Sequence, residues 1–204
     1  MPVRVKICGL TRLGDALEAA GFGADALGFI VWPDSKRAMT AEGVRAIRLE
    51  LPPLIQTVAV TVNMPARDLV ALWQATGVGA VQLHGDEKPD DYRGLPMPVI
   101  KAFREPPPLA ELEDWQAAAF MADGAAAGHY GGSGHLADTE TIDALSATGR
   151  LILAGGLTVE NVADRVRAVK PYGVDVASGT EAKHGIKDPA KVKAFIEAAK
   201  GALM

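Results

Sequence analysis

The residues of this chain best placed to do chemistry are one thiol, a few charged groups and two glycine-rich turns. Cys8 is the sole cysteine and lies in Val5-Lys6-Ile7-Cys8-Gly9-Leu10-Thr11, so no intramolecular disulfide is open to it. At the end of a β-type run, just before a glycine, it has two readings. One is a small buried residue, the commoner fate of a free cysteine; the other is a reactive group aimed into a site. Asp123 also ends an apolar run, and reads either as a helix cap or as a general acid. His84 reads as a substrate contact or as a structural hydrogen-bonding group. Arg37, in Ser35-Lys36-Arg37, looks locally like a surface charge. Leu153-Ala154-Gly155-Gly156-Leu157-Thr158 and Val176-Ala177-Ser178-Gly179-Thr180 could bring backbone N–H groups close to an anion, with a helix amino terminus adding partial positive charge. Gly155, Gly156, Ser178 and Gly179 are therefore candidate phosphate-binding residues. Tyr130-Gly131-Gly132-Ser133-Gly134 reads as a lid over the site or as a flexible connection.

Positioning these groups requires strands, and eight apolar runs supply them: 4–8, 26–31, 56–62, 80–83, 99–103, 119–123, 151–154 and 174–177. Short Val/Ile/Leu/Ala runs of this kind suit strands covered on both faces. Helical spacing follows several of them. Leu13, Ala16, Leu17 and Ala20 are placed at i, i+3, i+4 and i+7, as are Val192, Phe195, Ile196 and Ala199. Leu69, Leu72 and Trp73 mark another apolar face, and Val159, Val162, Ala163 and Val166 a fourth. Met64-Pro65, Thr158 and Asp188-Pro189 signal helix starts. Segments 86–93 and 106–116 are weaker. The alternation predicts an α/β fold, a (β/α)₈ TIM barrel of eight parallel strands with outer helices, as one domain over residues 1–204. An open doubly wound sheet is the alternative, although Cys8-Gly9-Leu10-Thr11 lacks the dinucleotide GxGxxG spacing.

In a barrel the active site lies at the carboxyl ends of the strands, where Cys8, Arg37, His84, Asp123 and the two glycine turns converge. Side chains two apart on a strand share a face, so Lys6 lies with Cys8, Met121 with Asp123, and Asp175 with Ala177. An inward Lys6 must be paired or hydrated; Asp175 is the expected partner. The remaining histidines, His129, His135 and His184, fall in expected loops and read as solvated. No HExxH spacing occurs, which argues against a metal site. Trp32, Trp73 and Trp115 read as packing residues, Trp32 nearest the rim.

The 204 residues are 49% hydrophobic and 23% charged, with formal net charge −4 and no basic cluster. This speaks against nucleic-acid binding. No apolar run approaches the roughly 18 residues of a membrane span, and no secretory signal is legible. The expectation is a cytoplasmic protein acting on a small molecule.

Six segments, taken together and in order, resemble phosphoribosylanthranilate isomerases: Val5–Thr11, Gly28-Phe29 through Ser35-Lys36-Arg37, Val81–Gly85, Gly131–Gly134, Leu153–Leu157, and Gly173–Gly179 with Gly185–Asp188. The resemblance implies an Amadori rearrangement of N-(5-phosphoribosyl)anthranilate to 1-(2-carboxyphenylamino)-1-deoxyribulose 5-phosphate, without metal or cofactor, by a monomer or homodimer. It implies that Cys8 is the general base and Asp123 the general acid. Arg37, matched to the residue near the anthranilate, is expected to bind substrate with His84 and Asp175, and the turns after strands seven and eight to bind phosphate. The chain departs from the family at Leu136-Ala137-Asp138, which lacks an aromatic residue, and at Lys36, Ala177, Thr180 and His184. Two rivals remain: indole-3-glycerol-phosphate synthase, which should carry a lysine where Thr61-Val62-Asn63 ends strand three, and a phosphate-ligand sensor that has kept the barrel. Lys6 is the expected source of positive charge for a Cys8 thiolate.

Overall fold

A computed structural model describes residues 2–124 and 135–203. Within them, eight parallel strands close into a barrel in simple sequence order, β1 to β8, with β8 pairing back to β1. The strands are β1 Arg4–Ile7, β2 Ala26–Ile30, β3 Gln56–Thr61, β4 Ala80–Leu83, β5 Val99–Phe103, β6 Ala119–Ala122, β7 Leu151–Leu153 and β8 Gly173–Val176. The open-sheet alternative is thereby excluded. Each strand end falls within one residue of its sequence expectation.

Closure divides the buried residues into two sets. Val58, Ala80, Ile100, Ala102, Ala119, Met121, Ile152 and Ala154 pack inside the barrel, and a larger set led by Phe29, Leu69, Leu145 and Phe195 packs between strands and helices. The inner set is mostly small or β-branched, as a narrow barrel lumen demands.

Outside the strands run α1 Leu13–Gly21, α2 Ala41–Glu50, α3 Ala66–Thr76, α4 Leu109–Asp114, α5 Thr139–Ser146, α6 Val162–Val169 and α7 Pro189–Gly201, with a 3₁₀ turn at Pro89–Tyr92 after β4. The face of α7 is as its spacing predicts: Val192, Phe195, Ile196 and Ala199 are all buried, and Asp188 caps Ala190 and Lys191. That of α1 is not. Leu13 and Leu17 are 37% and 41% exposed, and Asp15, Ala16 and Ala19 face inward instead. The Asp15 carboxylate accepts from the Lys187 N–H at 2.9 Å, which turns the helix so that its small residues meet the barrel. Helices α2 and α5 have weak apolar periodicity but clear caps: Thr40 accepts from Gly43 N–H and Asp138 from Thr141 N–H. Helix α6 begins at Val162, four residues after the expected start at Thr158. Asn161 folds back to accept from Thr158 N–H and donate to the Gly156 carbonyl, both at 2.9 Å, so a turn precedes the helix. After β8, a 3₁₀ turn at Ser178–Thr180 leads into a hairpin, β9 Glu181–Lys183 and β10 Ile186–Lys187.

Candidate active site

A cavity of about 600 Å³ opens at the carboxyl ends of the strands. All nine residues singled out as site candidates line it: Cys8, Arg37, His84, Asp123, Gly155, Gly156, Asp175, Ser178 and Gly179. The expected lid at Tyr130–Gly134, and His129, lie outside the described residues.

Cys8 follows β1 directly, and its N–H donates to the Val176 carbonyl at 2.8 Å. Two residues earlier Lys6 stands in register with Asp175 on β8. In a parallel pair such residues point to the same side, and Lys6 Nζ donates to Asp175 Oδ1 at 2.7 Å. The pairing expected from alternation is present. Burial alone would depress the Lys6 ammonium, yet Asp175 and then the thiol hold it above the usual lysine range. Gly28 on β2 makes room for both groups: a Cβ there would stand 2.7 Å from Cys8 Sγ and 3.1 Å from Lys6 Nζ.

Lys6 was expected to make the thiol basic at neutral pH, and here the balance differs. Burial pushes the Cys8 thiol up and the Asp175 carboxylate adds to that; Lys6 and Lys187 oppose it without prevailing. Because Lys6 comes with a carboxylate 2.7 Å away, its field at the sulfur is partly cancelled.

Across the lumen, Asp123 continues β6 and His84 continues β4. His84 Nε2 lies 2.9 Å from Asp123 Oδ2, and Asp123 Oδ1 accepts from Gly124 N–H at 2.9 Å. The other ring nitrogen, Nδ1, meets Gln82 Nε2 at 2.7 Å. His84 is thus a structural partner of Asp123 while still lining the cavity.

Arg37 is not a surface charge. It is 8% exposed, and its Nε and Nη2 grip Glu181 Oε1 and Oε2, each at 2.6 Å. Bidentate pairing of this kind fixes a guanidinium in orientation as well as position. Hydrogen bonding to Glu181 raises Arg37 further. Burial by itself would raise Glu181, but Arg37 and Lys187 hold it below the usual carboxylate range. The side chain reaches Glu181 over Gly9, whose φ is +72° and where a Cβ would lie 2.6 Å from Arg37 Cδ. Lys187, which burial depresses, donates to the Ala177 carbonyl at 2.7 Å. His184 is exposed in the turn between β9 and β10, as expected, and from there it also lines the cavity, 3.4 Å from Arg37 Nη2.

The turn after β7 carries Gly155 and Gly156 at φ +78° and +58°, conformations that side-chain-bearing residues rarely adopt. Ser178 and Gly179 open the 3₁₀ turn after β8. With α6 displaced to Val162, the donors facing this end of the cavity belong to turns and not to the start of a long helix. Gln82, Glu181 and Lys187 were missed in the sequence. Gln82 was findable, since it shares the face of His84; Glu181 and Lys187 sit in a hairpin too short for periodicity to mark. Among the described residues no cluster of three His, Cys, Asp or Glu side chains could hold a metal ion, and no helix is long and apolar enough to cross a membrane.

A closed parallel barrel whose ionisable groups gather in one rim cavity, away from the hydrophobic layer beneath, is the layout of a (β/α)₈-barrel enzyme. Residues 5–198 match the family described as N-(5'-phosphoribosyl)anthranilate (PRA) isomerase. The N-(5'-phosphoribosyl)anthranilate isomerase of Geobacter sulfurreducens is 45% identical over 201 residues, 98% of this chain and 99% of the relative. Among solved structures, phosphoribosyl anthranilate isomerase from Thermus thermophilus superimposes with a TM-score of 0.88 at 40% identity, covering 99% of this chain and all of the other. A phosphoribosyl anthranilate isomerase solved in complex with reduced 1-(o-carboxyphenylamino)-1-deoxyribulose 5-phosphate gives 0.80 at 35%, covering 98% and 99%. The chain belongs to the phosphoribosylanthranilate isomerase family, enzymes of tryptophan biosynthesis that carry out an Amadori rearrangement.

Proposed function

We propose that Cys8 is the general base and Asp123 the general acid with which this chain carries out its family's Amadori rearrangement of N-(5-phosphoribosyl)anthranilate. The observation that carries the assignment is their shared cavity: the thiol ends β1, the carboxyl ends β6, and both line it. Asp123 gives its proton to the furanose ring oxygen. The C1′–O bond breaks, and the nitrogen lone pair closes a C1′=N Schiff base. Cys8, as thiolate, removes the C2′ proton; the electrons form C1′=C2′ and return to nitrogen as an enolamine. Gain of a proton at C1′ and loss of the one on O2′ give 1-(2-carboxyphenylamino)-1-deoxyribulose 5-phosphate. After its proton leaves, the Asp123 carboxylate is met by the Gly124 N–H and by the His84 ring, which supports an acid role.

Arg37, held by Glu181, is the cation for the anthranilate carboxylate, with His184 beside it. His84 and Asp175 contact the sugar, and the turns at Gly155-Gly156 and Ser178-Gly179 hold the phosphate. No cofactor or metal enters these steps. The enzyme acts in the cytoplasm on this small molecule, as a monomer or homodimer, with residues 1–204 forming one domain.

The test is the loss of fluorescence of phosphoribosylanthranilate made in situ, followed with wild type, Cys8→Ala and Asp123→Asn. Both variants are expected to fall by at least ~10²-fold in kcat, the scale of a positioned acid or base. Undiminished turnover by either folded variant overturns its assignment. An inactive wild type that still binds the product would instead make the chain a sensor.

A further inference from the structure

Gln82 is 1% exposed and sits on β4 inside the barrel, two residues before His84. Its amide nitrogen has two neighbours, His84 Nδ1 at 2.7 Å and Met121 Sδ at 3.4 Å. Its amide oxygen, Oε1, is buried without a hydrogen-bond partner among the described residues. An amide can be turned over, so the two orientations must be weighed. As placed, both N–H groups are used and one acceptor is left over. Turned over, Oε1 would take an Nδ1–H from His84 but would also stand against the Met121 sulfur, an acceptor with no hydrogen to give. As placed, the thioether accepts the second amide N–H; turned over, that bond is lost and two acceptors face each other. The Met121 sulfur therefore shows which way the amide lies.

That orientation decides the state of the histidine. With an amide N–H directed at Nδ1, Nδ1 must offer a lone pair, and the ring proton must sit on Nε2. From Nε2 it faces Asp123 Oδ2 at 2.9 Å. We propose that Gln82 is a positioning residue that holds His84 as the neutral Nε2–H tautomer, making it a fixed donor to Asp123 and not a relay that exchanges protons with it. The inference rests on the acid role of Asp123. The charged or titratable groups around the pair are Asp123 itself on β6, Cys8 and Lys6 on β1 and Asp175 on β8, with Glu87 and Lys101 behind the His84-Gly85 backbone. The partner of Nδ1 is uncharged, so nothing bonded to that nitrogen rewards its protonation.

The consequence for catalysis is directional. A fixed Nε2–H meets the carboxylate as Asp123 releases its proton, and returns unchanged when the proton is recovered. A ring free to take a proton on Nδ1 would pull the pair toward imidazolium and carboxylate, leaving Asp123 with nothing to donate.

The direct test is ¹⁵N-detected NMR of the His84 ring in the wild-type protein near neutral pH, assigned by its loss in His84→Gln. The expected spectrum shows a protonated Nε2 and a bare Nδ1. In Gln82→Glu the introduced carboxylate can only accept, so both ring nitrogens should be protonated and kcat should fall ~10²-fold. Gln82→Leu, which removes the Nδ1 donor without adding an acceptor, should show both tautomers and a loss of roughly 10-fold, about the value of one hydrogen bond. A wild-type ring carrying a proton on Nδ1 overturns the proposal, as does a Gln82→Glu protein with wild-type kcat. Full activity in Asp123→Asn would instead remove the acid role, and the ring spectrum would still decide the tautomer separately.

Discussion

The two sides of the cavity hold their ionisable groups in opposite ways. On the thiol side, Cys8 lies among full charges: Lys6, its partner Asp175, and Lys187 farther out. On the acid side, Asp123 meets a histidine ring and a backbone N–H, and the ring is backed by an amide and a thioether. The difference teaches what each group needs. Cys8, the proposed base, is placed beside an ammonium, yet that ammonium cannot be buried alone and brings a carboxylate with it. Asp123, the proposed acid, is given a ring and a backbone N–H that act once its proton has gone, and among the described residues no lysine or arginine pairs with it.

The contrast should be broken most visibly at Lys6. Replacing it with Met strands the Asp175 carboxylate in the barrel, and should cost about 3–5 kcal/mol of stability at neutral pH in urea unfolding. Gln at His84 removes only hydrogen bonds from the acid side and should cost about 1–3 kcal/mol. Equal losses would mean that the two sides are not built differently. Gly28→Ala should match the smaller of these. Its Cβ would press on Cys8 Sγ, so a loss of about 1–3 kcal/mol is expected, together with lower turnover, because the thiol or Lys6 must move.

The stability difference between wild type and Lys6→Met should also depend on pH in a set direction. Lys6 is raised in the folded protein, so its contribution is fully present below the ordinary lysine value of about 10.4 and is lost as pH climbs through the raised one. Unfolding measured from neutral pH upward should therefore show a constant gap that narrows only beyond the ordinary lysine range. A gap that closes between pH 7 and 9 would contradict the pair. The smallest effect is expected at Asn161, which braces the Gly156 turn without lining the cavity. Asn161→Ala should raise KM by roughly 5-fold, about 1 kcal/mol, and leave kcat nearly unchanged; a fall in kcat alone would place the turn in the chemistry.

How far the sequence could be read followed the range of the forces involved. Strands showed because their apolar runs are local, and the inward faces of Lys6 and Cys8 followed from a two-residue period. The Lys6–Asp175 pair was reachable because register in a closed barrel sets those positions side by side. Arg37 was not readable in the same way, since its partner Glu181 is 144 residues away in a hairpin with no periodic signature. The face of α1 was misjudged because Asp15 bonds to the Lys187 backbone, a tertiary tie that overrides the Leu13/Leu17 stripe. Helices α2 and α5 were not singled out in the sequence: their apolar pattern is weak, and the caps that start them, Thr40 and Asp138, are seen in the structure.

The raised thiol gives the most direct test of Cys8 as base. Titrating its thiolate by ultraviolet absorbance in the free enzyme, with kcat/KM measured over the same pH range, should give one curve from both. That curve should rise above the ordinary cysteine value of about 8.5, because burial and Asp175 push the thiol up. If kcat/KM reached its plateau while Cys8 was still protonated, the base would have to be another group.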